Sequence, residues 1–98
     1  AVAVGIVFDL DLNIIAQRLK NYSPPPGRLN LLPGVKYTKI IDDSYNSSPL
    51  AVKAALEALS HLFCAHNKFA VLGDMLELGN YTQAAHKEIG EEVARLGI

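Results

Sequence analysis

Ile41-Asp42-Asp43-Ser44-Tyr45-Asn46-Ser47-Ser48-Pro49 is the stretch on which the fold turns. It follows Tyr37-Thr38-Lys39-Ile40-Ile41, a run that favours an extended strand, and leads into a helical pattern opening at Pro49. Short polar side chains therefore stand where a strand gives way to a helix. In an open α/β sheet that is the edge at which ligands bind. Capping the next helix requires only one Ser or Asn. The remaining carboxylates, phenol, amide and hydroxyls are free to hydrogen-bond sugar hydroxyls, a base edge or a peptide.

Downstream, Pro49 to Leu62 reads as a helix with Val52, Leu56, Leu59 and Leu62-Phe63 on one apolar stripe. Lys68-Phe69-Ala70-Val71-Leu72-Gly73 reads as a buried strand, with Asp74 just past its end. Leu76 to Asn80 is a loop, and Tyr81 to Leu96 a second amphipathic helix carrying Ala85, Ile89, Val93 and Leu96. Upstream, Arg28 to Leu32 and Val35 to Ile41 flank Pro33-Gly34 and read as a β-hairpin. Ser23-Pro24-Pro25-Pro26-Gly27 is a stiff connector and the one credible domain boundary. Before it, Asp11 caps a short helix with Leu12, Ile15 and Leu19 at helical spacing. Ala1 to Phe8 suits either a helix tail or a short buried strand. The order predicts an α/β fold: short helices, then a hairpin, then β-α-β-α with parallel strands and a right-handed crossover, a partial Rossmann-like domain.

At 98 residues, half of them hydrophobic, the chain has room for one small domain with a packed core. Nine basic and ten acidic residues leave no basic patch, which argues against nucleic acid as a partner. The apolar start is too short to span a bilayer and lacks a basic leader, so no membrane insertion is expected. The single cysteine, Cys64, suits a reducing compartment, and its place late in an apolar helix predicts a buried, inert thiol. The chain opens in mid-pattern and ends where a further strand would follow, which predicts a piece of something longer.

Other constellations are weaker. Phe8-Asp9-Leu10-Asp11 has the carboxylate spacing of an aspartyl phosphatase nucleophile, but Leu12 and Asn13 depart from that pattern, and a helix cap explains Asp11. No glycine fingerprint for dinucleotides and no P-loop is present. His61 and His66 stand five apart, out of register for a two-histidine metal site on a helix, so no metal site is expected. Arg28, directly after the Pro-Pro-Gly hinge, could fork onto phosphate oxygens or simply lie exposed at a strand start.

Together, Pro26-Gly27-Arg28, the Asp42 to Pro49 block, Val71-Leu72-Gly73-Asp74-Met75-Leu76-Glu77-Leu78-Gly79 and His86-Lys87-Glu88-Ile89-Gly90 resemble the Mur ligase family. The Asp-Asp-Ser-Tyr-Asn block favours the branch that joins D-alanyl-D-alanine to a UDP-N-acetylmuramoyl tripeptide in peptidoglycan synthesis. Where that branch usually reads Asn-Ala-Asn, this chain has Asn46-Ser47-Ser48. The resemblance implies that residues 1–26 are the helical tail and hinge of a central ATPase domain. Residues 27–98 would be the first half of a C-terminal Rossmann-like domain.

The resemblance also implies an ATP-dependent, bacterial, cytoplasmic ligase that phosphorylates a carboxylate and lets an amine attack the acyl phosphate. Magnesium would be held in the central domain, outside this chain. Arg28 matches the hinge arginine associated with the ATP phosphates and is the expected catalytic residue. Asp43 matches the carboxylate that reaches the ribose, with Tyr45 and Asn46 near the adenine of the nucleotide or near the acceptor. Asp74, Met75, Glu77 and His86 would line the acceptor side. The parent is expected to be monomeric, and the 98-residue piece inactive alone and prone to self-association. A competing reading is a non-catalytic Rossmann-like module that binds a nucleotide or a protein.

Overall fold

A computed structural model describes residues 1–98. The amino-terminal apolar run is a helix, α1 (Val2–Val7), followed by α2 (Leu12–Lys20). Asp11 caps α2, its Oδ1 accepting the N–H of Asn13 at 2.9 Å and of Ile14 at 3.4 Å. The two helices meet where Gly5 faces Ile15. A Cβ on Gly5 would lie 2.6 Å from Ile15 Cδ1, so a larger residue there would force the Ile15 side chain to shift.

The hairpin follows as β1 (Asn30–Pro33) antiparallel to β2 (Lys39–Asp42), with Leu31 opposite Ile41 and Leu32 opposite Ile40. Its connection is longer than the Pro33-Gly34 dipeptide suggests. A 3-10 turn occupies Val35–Tyr37, Lys36 and Tyr37 take positive φ, and the Gly34 N–H donates to the Thr38 carbonyl at 2.8 Å.

Ser48 caps α3 (Pro49–His61) through its hydroxyl, which accepts the Ala51 N–H, and Pro49 occupies the first turn, where its missing N–H costs nothing. The Gly79–Tyr81 3-10 turn leads into α4 (Thr82–Leu96), and left-handed Gly97 ends it. Helices α3 and α4 pack around Leu56, Met75, Ala85 and Ile89, with Val52, Ala70, Leu78 and Val93 at the margin. Val52 and Leu56 of the stripe read from the sequence thus close a small core, whereas Leu62 and Phe63 lie past the end of α3 and are exposed, Phe63 at 99%.

The expected parallel strands are not formed. The sheet is the two-stranded antiparallel hairpin, and Lys68–Gly73, expected to be a buried strand, pairs with nothing. Phe69 is 79% and Val71 98% exposed. An apolar run records a capacity for burial, but a strand exists only when a neighbour answers its N–H and C=O groups. Nothing among residues 1–98 does so. Cys64 also departs from expectation: α3 stops at His61, which leaves the thiol exposed beyond the helix rather than buried.

Seven residues are buried, and the radius of gyration is 16.5 Å. A compact domain of this length would have about 13 Å. Two small packed units, α1–α2 and α3–α4, and a hairpin account for the difference. No helix is long and apolar enough to cross a membrane.

Candidate functional site

Two corners collect the residues singled out by sequence. The first joins the hinge to the loop after β2. Gly27 and Leu29 both take left-handed backbone, φ 73° and 51°, and flank Arg28. Each is tied to the loop: the Tyr45 N–H donates to the Gly27 carbonyl at 3.1 Å, and the Leu29 N–H donates to Asp43 Oδ1 at 3.0 Å. A Cβ on Gly27 would stand 3.0 Å from the Tyr45 nitrogen, so glycine is required by space as well as by φ. The Arg28 N–H donates to Asn30 Oδ1, and Asn30 Nδ2 to the Pro24 carbonyl, fixing the hinge on its other side. Held in this way, the Arg28 guanidinium lies over the Tyr45 ring, 4.3 Å from its centre.

Asp43 spends one carboxylate oxygen on Leu29, and the other accepts no hydrogen bond within the chain. Asp42 accepts the Ser44 hydroxyl at 2.6 Å and the Ser44 N–H at 3.2 Å. Those bonds hold its carboxyl below the usual range. Asn46 Oδ1 accepts the Ser47 N–H at 2.8 Å, leaving its amide nitrogen free. Asn46 therefore shapes the loop while presenting a donor outward.

The second corner lies against α4. Met75 is 3% exposed, with its side chain in the α3–α4 core, so the side chain is not on offer to a ligand. His86 is engaged through both ring nitrogens: Nε2 accepts the Met75 N–H at 3.1 Å, and Nδ1 lies 2.8 Å from the Thr82 carbonyl. Asp74 Oδ1 is 3.8 Å from Nε2 and almost fully exposed. Glu77, also exposed, has φ 62°, a left-handed conformation that non-glycine residues rarely hold.

Sequence reasoning passed over the residues that tie this corner to α3. Glu88 receives the Tyr81 hydroxyl at 2.7 Å and the Lys53 ammonium at 3.1 Å. Those two donors push its carboxyl down, while Glu88 raises both Tyr81 and Lys53. Lys53 and Glu88 lie 35 positions apart on different helices, so no local pattern announces the pair. The two corners share no hydrogen bond or ion pair. A hollow of about 780 Å³ sits on the hairpin beside Leu32, Lys36, Tyr37 and Lys39 and includes none of the residues of either corner. No three His, Cys, Asp or Glu side chains gather where a metal could be held.

The family model for "Mur ligase, glutamate ligase domain" matches residues 27–97, which takes in both corners. A UDP-N-acetylmuramoyl-tripeptide–D-alanyl-D-alanine ligase of Bacillus subtilis is 36% identical over 94 residues, covering 96% of this chain and 21% of its own length. The Escherichia coli ligase of the same name is 32% identical over 98 residues, covering 100% and 21%. Among solved structures, the MurF ligase of Thermotoga maritima in complex with ADP superposes with a TM-score of 0.77. It is 35% identical and covers 94% of this chain and 20% of its own. The chain thus spans about a fifth of the length of the curated relatives it matches. With a family model covering most of its residues and relatives alike along nearly its whole length, the chain belongs to the Mur ligase family.

Proposed function

We propose that this chain is the hinge and the first half of the C-terminal domain of an ATP-dependent ligase. The ligase joins a UDP-N-acetylmuramoyl tripeptide to D-alanyl-D-alanine through an acyl phosphate, in the cytoplasm of a bacterium. Residues 1–26 close the central domain and residues 27–98 open the Rossmann-like one. The observation that carries the reading is the corner in which Arg28, Asp43 and Tyr45 are held together by hinge-to-loop hydrogen bonds. That the Thermotoga ligase was solved in complex with ADP supports ATP as the nucleotide used.

In this reading Arg28 neutralises phosphate charge as the phosphoryl group moves, and the free oxygen of Asp43 takes a ribose hydroxyl. Tyr45 and the Asn46 amide border the nucleotide. Asp74 and Glu77 face the incoming ammonium, which their carboxylates attract, whereas they would repel a triphosphate. Met75 and His86 support that side from beneath. Magnesium would be held in the central domain, outside this chain. Lys68–Gly73 would become a parallel strand beside partners outside these 98 residues. Alone, its exposed Phe69 and Val71 favour self-association.

The test is made in the complete ligase. Arg28→Ala should mainly lower turnover, and Asp43→Ala should mainly raise KM for ATP. Wild-type kinetics in both variants would refute the assignment. The isolated chain should neither hydrolyse ATP nor form an amide, and micromolar or tighter ATP binding by it would show that the nucleotide site is misplaced.

A further inference from the structure

We propose that His86 is a positioning residue that acts through the Met75 N–H to hold the Asp74–Gly79 loop in the shape that presents Glu77. This rests on the assignment of that loop to the amine acceptor. The loop is fixed at both ends by α4. At its start His86 Nε2 accepts the Met75 N–H. At its end Tyr81 donates to Glu88, and the Thr82 hydroxyl donates to the Gly79 carbonyl at 2.8 Å. Between the clamps, Glu77 holds a left-handed backbone that a glutamate would ordinarily leave, and its side chain is exposed. A strained, outward-facing carboxylate between two fixed ends is what a preorganised ammonium site requires.

The chemistry of the ring fixes the direction of each bond. A carbonyl can only accept, so Nδ1 must carry the proton toward Thr82, and Nε2 is then the lone pair that receives Met75. Both ring nitrogens are committed to backbone. His86 therefore has nothing left to offer a substrate directly, and its effect passes through the loop.

In the complete ligase, His86→Leu should raise KM for the amine substrate about tenfold, the loss of one hydrogen bond to a positioned loop. KM for ATP should stay near wild type. His86→Gln, which restores an acceptor at the Nε2 position, should recover most of that loss. Nitrogen-15 spectra of the wild-type chain should show the neutral ring protonated at Nδ1. An Nε2-protonated neutral ring, a glutamine variant no better than leucine, or KM values for ATP and amine rising together would each overturn the proposal. Glu77→Gln separates the two ideas. If it raises the amine KM while His86→Leu does not, the loop assignment stands and the positioning role falls; if neither does, the assignment itself has failed.

Discussion

The Arg28 guanidinium and the Tyr45 ring, 4.3 Å apart, are 17 positions apart in sequence, and Gly27 is what lets them meet. Its carbonyl receives the Tyr45 N–H, and its missing Cβ leaves room for the Tyr45 backbone. Gly27→Ala should therefore destabilise the corner by about 1–3 kcal/mol, from left-handed strain together with the clash. Thermal unfolding measures the loss, and a tyrosine fluorescence change would report separation of the pair. An alanine variant as stable as wild type would contradict the packing.

Asp43→Asn and Asp43→Ala should separate two roles of one side chain. Asparagine keeps an oxygen for the Leu29 N–H but loses the charge, whereas alanine loses both. Hydrogen exchange at Leu29 should stay slow in the asparagine variant and speed up in the alanine one. Equal exchange in both would remove Asp43 from the hinge.

Met75→Ala should cost about 2–5 kcal/mol, because the residue fills the core between α3 and α4. With so few buried neighbours, that loss should unfold the pair at 37 °C. Glu77→Gly should do the opposite, relieving left-handed strain at an exposed site and stabilising by about 0.5–1 kcal/mol. Urea titrations followed by circular dichroism distinguish the two signs.

Titration of the same unit should give a plateau with two edges. Glu88 is held below its ordinary 4.5 by Tyr81 and Lys53, so the unfolded state binds protons first as pH falls. Stability is then full above about pH 4.5 and is lost as pH drops through the folded value. Lys53 is raised above 10.5 and Tyr81 above 10.0, so their contributions hold below those values and fade as pH rises beyond them. Glu88→Gln should flatten the acid edge. An acid edge unchanged in that variant would assign it to other carboxylates.

In the complete ligase, Glu77→Gln and Asp74→Asn should raise KM for D-alanyl-D-alanine and leave KM for ATP unchanged. The reverse pattern would move the loop to the nucleotide.

Much of this chain was legible in order of sequence. Asp11, Ser48 and Pro49 announce helix starts, and the apolar stripes of α3 as far as Leu56 and of α4 name their buried faces, because caps and helical periodicity act within a few residues. The hairpin follows from two extended runs about Pro33-Gly34, although the connection is longer than the dipeptide alone implies. The motif blocks gave the family because they are specific strings. Tertiary structure decided what depends on partners distant in sequence. Val2–Val7 takes the helical alternative, and its Gly5 lies against Ile15 of α2. Lys68–Gly73 remains unpaired because pairing is a property of two segments, and sequence describes one. Met75 faces the core rather than the loop surface, and His86 spends both nitrogens on backbone, neither of which a motif records. Local chemistry fixes where an element begins, whereas the direction a side chain faces is set by whatever packs against it.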